Sequence, residues 1–505
     1  MHLQIVLAFV MLLWWPLERN GGPPVTHSAW VILIVWAKVP VIAWFAWLVN
    51  RSTLARLRRE PNRSHRALTF YHRATTTLRL VALGGLAADL FLTSWPDTLF
   101  AIRVLSAVPG LVHLILLVPY FLCLTAILWM LYPVERASRD VFAAPPCWTR
   151  GQYVVFNIRH QVLIVALPLT LIMVAYVATR DYRRPLAEAF RSPWAPDAIL
   201  VVVAGLVFLF APVMLRHIWA TSPLPDGPLR RKLLALCDRI GLRVREILVW
   251  HSDGVMVNAA VMGLVPRVRY ILLSDALLDA MSDEEVEAVF GHEAGHVRYH
   301  HIQYFLVFAV LSMLIVSGII EYLLHLALNG GPIEGLSRES IQVIGLMAAV
   351  PLWGFAFGWI SRRFERQADT FGARCATPTT DDIACRRPCV AHDGQAAAPA
   401  EAICATGAAI FLGALRKVAV LNGIPIEERS WRHSSIASRM HFLTAIAHDP
   451  IMTRRFGRLI WWIKFVLLTS CAVGLVIAAV YIWRHPAYHQ DFMRSVVEPL
   501  KRIFQ

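Results

Sequence analysis

His292-Glu293-Ala294-Gly295-His296, the run HEAGH, decides how the rest of this 505-residue chain is read. On a helix, residues four apart share a face, so His292 and His296 can converge on one metal ion. Glu293 stands beside them, placed to take a proton from a water at that metal. Five letters recur by chance, but their setting strengthens them. Ser282 and Glu285 form an S-x-x-E capping box, and Val286, Val289 and Phe290 give the apolar stripe of a helix reaching His300. The glutamate is the motif's only carboxylate, as expected for a helix buried against a core.

The composition around this motif belongs to a membrane protein. Hydrophobic residues make up 57% of the chain and charged residues 16%, and the mean hydropathy is +0.53, far from an average soluble domain. A net charge of +15 could suggest nucleic acid, but its placement argues against that partner. Eight arginines against one glutamate lie between Arg51 and Arg79, beside apolar runs, the pattern of a cytoplasmic loop under the positive-inside rule.

A spanning helix needs about 20 mostly apolar residues. Segments 3–17, 28–49, 80–96, 107–132, 161–178, 198–215, 303–327, 340–360 and 459–483 fit, about nine spans in all. The first carries neither a basic leader region nor a small-residue cleavage site, so it reads as a retained helix. With 51–79 cytoplasmic, the parity puts 133–160, 216–302 and 361–458 on the same side. The four arginines of 179–197 run mildly against the rule. Lys38, Asp89 and Glu321 interrupt the spans, each at about 2.5–3.5 kcal/mol near a helix centre. Lys38 and Asp89 either pair, or one snorkels while the other lines a polar cavity; Glu321 reads as interfacial.

Two histidines do not complete a catalytic zinc site, which needs a third protein ligand and leaves a fourth position for water or substrate. Glu365 and Asp369, in the run FERQAD at 364–369, share one helical face at i, i+4. One carboxylate can bind metal while the other orients a ligand histidine through its free ring nitrogen. The competing reading is a solvated face, with Glu365 paired to Arg362 or Arg366. Short β-rich runs at 246–250, 255–261 and 268–273 precede the HEAGH helix. A helix from about 404 to 422 follows the loop-like stretch 376–402.

HEAGH, a two-span hairpin and then E-x-x-x-D together resemble the integral-membrane gluzincin metallopeptidases of the CAAX prenyl protease and HtpX family. Asn258-Ala259, the lead-in Ser274 to Leu278 with Asp283-Glu284-Glu285, and His433 to Arg439 (HSSIASR) match further family segments in order. The likeness covers roughly 225–445. It implies that His292, His296 and Glu365 bind Zn2+, that Glu293 is general base and acid, and that Asp369 orients His292 or His296. It also implies that the strand around Val255 to Asn258 receives the substrate backbone as an added strand, with Val257, Asn258 and Ala259 as binding residues. His433 and Arg439 would stabilise the oxyanion. Ser434 departs from the pattern, standing where the family usually has proline.

The expected fold is therefore mostly α: a polytopic helical membrane protein with a small α+β zinc-peptidase domain interrupted by a two-span hairpin. Its parts are a membrane module 1–215, the two domain halves 216–302 and 361–457, the hairpin 303–360 between them, and a last span with tail 458–505. Cys375, Cys385, Cys389 and Cys404 cluster near His392 without a standard zinc spacing; a second structural metal, disulfides and free thiols all stay open. His300-His301 reads as an interfacial cap to the next span.

The function that follows is a membrane-embedded zinc endopeptidase acting on membrane proteins or lipid-modified peptides, in quality control or processing. Its place is a bacterial inner membrane, or an endomembrane in a eukaryote, with the active site toward the cytoplasm. The alternatives are a peptidase-like sensor or transducer and a transporter with a vestigial metal site. The short tail beyond 483 argues against an added sensing domain, and intact HEAGH and E-x-x-x-D argue against a transporter.

Overall fold

The computed structural model describes residues 2–18, 29–59, 64–141, 149–254, 256–328, 338–376, 403–422, 424–428 and 433–484. They fall into two compact units, Met1–Ser222 with Trp250–Val255, and Pro223–Val249 with Met256–Gln505. Seven helices among the described residues are long and apolar enough to cross a membrane: 30–59, 66–91, 111–138, 150–181, 195–218, 301–327 and 451–481. The chain is a multi-pass membrane protein. Of the segments read from the sequence, 3–17 and 340–360 are not among the seven. The first lies in a helix of only 17 residues, His2–Glu18. The second is part of one continuous 38-residue helix, Arg338–Cys375, that runs on into the E-x-x-x-D motif.

In the first unit, long helices pack around Leu86, Leu116, Tyr120, Leu124 and Ile127, all essentially without solvent exposure. Lys38 is ion-paired with Asp89 there, which answers the question the sequence left open. A π-helical turn at Ile158–Leu163 carries His160, whose Nε2 accepts a hydrogen bond from Trp250 Nε1 at 2.8 Å.

In the second unit the helices are α1 (Pro228–Ile240), α2 (Asp283–Arg298), α3 (His301–Leu328), α4 (Arg338–Cys375), α5 (Ala405–Leu421), α6 (Ile436–His448) and α7 (Pro450–Arg484). The strands β1 (Thr221–Pro223), β2 (Glu246–Trp250), β3 (Ala259–Met262) and β4 (Tyr270–Ser274) form one sheet in the order β1-β2-β4-β3. β3 is thus an edge strand, antiparallel to β4 with Ala259 opposite Leu273 and Val261 opposite Ile271.

The capping box forms as the spacing requires. Ser282 Oγ accepts from the Glu285 amide at 3.3 Å, and Glu285 Oε2 accepts from the Ser282 amide at 3.0 Å. Lys417 of α5 adds an ion pair to Glu285 at 2.8 Å. What brings the two motif helices together is the absence of side chains between them. A Cβ on Gly291 would lie 2.6 Å from Cys375 Cβ, and one on Gly295 would lie 3.1 Å from Ala368 Cα. From the other side, a Cβ on Gly372 would lie 3.0 Å from the Ala288 carbonyl oxygen of α2, besides meeting the Phe411 ring of α5 at 2.6 Å. Close approach of α2 and α4 therefore depends on glycine at these positions.

Gly291→Leu should force the two helices apart and abolish metal retention, since overpacking a closed interface costs about 1–3 kcal/mol or more. Metal content of the purified variant checks this; wild-type retention would show that the glycine contact does not set the helix spacing.

Candidate metal centre

α2 and α4 place His292, His296 and Glu365 so that one ligand atom from each lies within 4.8 Å of the others. Nε2 of His292 and Nε2 of His296 are 3.3 Å apart, and each is 3.7 Å from a Glu365 oxygen. The other ring nitrogens each face a partner. Asp369 Oδ1 lies 3.0 Å from His292 Nδ1 and accepts its hydrogen. His296 Nδ1 lies 2.9 Å from His301 Nδ1, and His301 Nε2 donates to Gln367 Oε1 at 3.0 Å. With its own hydrogen on Nε2, His301 offers a lone pair to His296 Nδ1–H. Both facing Nε2 atoms then carry lone pairs, and a carboxylate joins them. Three acceptors converging without a hydrogen between them fit a divalent cation, and two imidazoles with one carboxylate are a zinc-type donor set.

The surrounding charges agree. Burial alone would raise the Glu365 carboxyl, but the His433 hydrogen bond and the Arg439, His292 and His296 rings and charges hold it well below the usual range. His296 is pushed down to about 4 by burial and by the neighbouring His292, so its ring stays neutral. Glu293 is pushed up to about 7, first by burial and then by Glu365. Its Oε2 accepts from the Val261 amide of β3 at 3.2 Å, which sets the carboxyl at the free edge of the sheet.

Asp369 lies against His292, not His296, and is clamped by Arg439, whose Nε and Nη2 donate to its two oxygens at 2.9 and 2.5 Å. Arg439 thus holds Asp369 through both oxygens. It also lies 3.9 Å from Glu365. His433 Nδ1 is 3.0 Å from Glu365 Oε1, with its side chain 47% exposed. Ser434 beside it has φ +66°, which a proline ring forbids, so the departure from proline accompanies a different turn.

The strand is displaced from the expected range. Val255 lies outside the described residues, and β3 begins only at Ala259. Asn422 holds both main-chain groups of Val257, at 3.2 and 2.8 Å. Asn258 is tied to Ser274 through its amide and its carbonyl. Of the three residues expected to bind substrate, only Ala259 is in the strand. Because alternate residues of an edge strand face away from the partner, Ala259 and Val261 turn their main-chain groups outward.

His301 is the residue that sequence reasoning placed wrongly. His300 takes φ +58°, and that left-handed residue between α2 and α3 turns His301 back into the core. His301 is fully buried and stacked 4.4 Å from the Phe364 ring. It supports a ligand histidine instead of capping a span. Cys385 and Cys389 lie outside the described residues; Cys375 and Cys404 are buried, and burial pushes Cys375 up to about 12.

The sequence signature described as Peptidase family M48 matches residues 223–387. Protease HtpX of Stenotrophomonas maltophilia is 30% identical over 226 residues, covering 42% of this chain and 76% of the relative. CAAX prenyl protease 1 of Saccharomyces cerevisiae is 27% identical over 204 residues, covering 36% of this chain and 45% of that protein. The chain thus spans about half the length of the yeast relative. The crystal structure of S. mikatae Ste24p aligns with 84% of this chain and 100% of its own, at 18% identity and a TM-score of 0.44.

His301→Phe keeps the ring stack on Phe364 and removes the partner of His296 Nδ1. It should weaken metal affinity about 10–100-fold, and His301→Asn, whose amide oxygen can accept the same hydrogen, should recover part of the loss. Chelator competition measures both; equal affinities in all three proteins would remove His301 from the centre.

Proposed function

We propose, on the premise that this chain belongs to peptidase family M48, that it is a membrane-embedded zinc endopeptidase hydrolysing peptide bonds of membrane or membrane-associated polypeptides. The observation that carries this reading is the meeting of His292, His296 and Glu365 through lone-pair atoms, with Glu293 on the same helix. A zinc ion held there supplies Lewis acidity, polarising a carbonyl and lowering the pKa of water to about 7.

The chain's own residues do the rest. Glu293, a carboxyl held near neutrality, takes a proton from the attacking water and returns it to the departing amine nitrogen. The outward main-chain groups of Ala259 and the outward carbonyl of Val261 bind the substrate backbone as an added strand, which selects an extended peptide before any side chain is read. This edge runs past Glu293 because Val261 itself holds that carboxyl. Asp369 orients His292, Arg439 holds Asp369, and His433 steadies Glu365 from the exposed side. Removing one partner of the buried Asp369–Arg439 pair would strand the other charge at about 3–5 kcal/mol.

In this reading 216–302 and 361–457 build one peptidase domain around the 303–360 hairpin, and 1–215 is a separate membrane module. The arginine-rich 51–79 segment and the HEAGH helix share the cytoplasmic side by parity of the intervening spans. Substrates are polypeptides that reach the bilayer surface, membrane proteins and lipid-modified peptides alike, since α3 starts directly after the site at His301.

Glu293→Gln should keep the metal and lose cleavage of a membrane-protein substrate by about 10²–10⁴-fold, the usual worth of a positioned acid–base group. Undiminished cleavage by a metal-loaded Glu293→Gln preparation would overturn the assignment.

A further inference from the structure

Behind the motif helix lies a second opening of different chemistry. A cavity of about 840 Å³ is lined by Arg374, Arg454, Arg458 and Lys464 with the hydroxyls of Thr370 and Thr453, and its described lining holds no carboxylate. It is distinct from the metal centre. On α4, Gln367, Thr370 and Arg374 project about half a turn away from Glu365 and Asp369. Its cations do not behave as an ordinary solvated face. Arg454 and Arg458 are i, i+4 on α7, so like charges sit side by side, which is unfavourable without a counter-ion. Asp449, five residues before Arg454, is turned to the amides of Ile451 and Met452 at 2.8 and 3.2 Å and caps α7 instead.

The position of the cavity says where an anion would come from. Arg454 and Arg458 immediately precede the apolar part of α7, whose Leu459, Trp461, Trp462, Phe465 and Val466 are exposed. Tryptophans at such a boundary mark the headgroup level of a bilayer, and Trp461 itself lines the cavity. Lys464, one turn deeper, is fixed by its bond to the Tyr299 carbonyl at 2.8 Å and sits over the Tyr304 ring. A group entering between the arginines would have its charge among cations and its chains along exposed apolar surface.

We propose that this cavity binds the phosphate headgroup of an anionic phospholipid from the surrounding bilayer, with the acyl chains lying on α7. The arginines give forked donors to the phosphate oxygens, and the threonine hydroxyls complete the set. Gln367 belongs both to the cavity wall and to the His301 contact behind His296, so a bound lipid borders the metal centre without entering it. The site stands independently of the peptidase reading.

The test is native mass spectrometry of the full-length chain released from mixed micelles of phosphatidylglycerol and phosphatidylcholine. Wild type should retain phosphatidylglycerol and not phosphatidylcholine, and Arg454→Gln/Arg458→Gln should retain about ten-fold less. Arg58→Gln/Arg455→Gln removes the same charge outside the cavity and should leave retention unchanged. Equal losses in both double variants would reduce the cavity to a general basic belt and overturn the proposal. So would equal competition by inorganic phosphate, which would mean a free-anion site. If the double variant does not fold, photo-crosslinking of a phosphatidylglycerol analogue to wild type decides: label in 446–464 supports the site, and label spread over all spans refutes it.

Discussion

Two imidazole nitrogens 3.3 Å apart, both with their hydrogens turned the other way, repel each other and repel the carboxylate beside them. That arrangement suits a cation, and the groups at the far ring nitrogens support it. Asp369 draws the His292 hydrogen outward and His301 draws the His296 hydrogen outward. Arg439 neutralises Asp369 in turn, so the carboxylate that orients the ligand is not itself a stranded buried charge. The cost of these polar groups in a core is offset by pairing every one of them, and removing the cation leaves acceptors facing acceptors.

Packing makes the electrostatics reachable. His292 and His296 sit on a helix with glycine at 291 and 295, and Glu365 on a helix with glycine at 372, so the two backbones close to a distance that side chains would forbid. The same closeness places Val261 of the edge strand on Glu293, which ties the base to the surface where an extended chain would add. Site and sheet are thus in contact through the ligand helix, its partner helix and the strand edge.

Much of this was legible in the sequence because its signals are local. The capping box starts α2 where Ser282 and Glu285 require, and the i, i+4 spacings put each ligand pair on one face. What was not legible depends on contacts distant along the chain or on single backbone angles. Nothing near Arg439 announces that it closes on Asp369, 70 residues earlier. The role of His301 depends on the left-handed turn at His300, which a His-His pair before an apolar run does not disclose. The strand starts later than the β-propensity at Val257 implies, because Asn422, 165 residues on, holds the main chain of Val257. The reading by segments finds the span at 340–360 but not that α4 runs on from it without a break into the charged E-x-x-x-D turn.

The central claim is that Glu365 joins His292 and His296 around one ion, and metal stoichiometry tests it most directly. The full-length protein, loaded with zinc and dialysed against a weak chelator, should keep a single zinc per chain. Glu365→Ala, folded as judged by helicity and monodispersity, should lose it, because two imidazoles alone do not make a zinc site. Undiminished zinc in that variant would contradict the account.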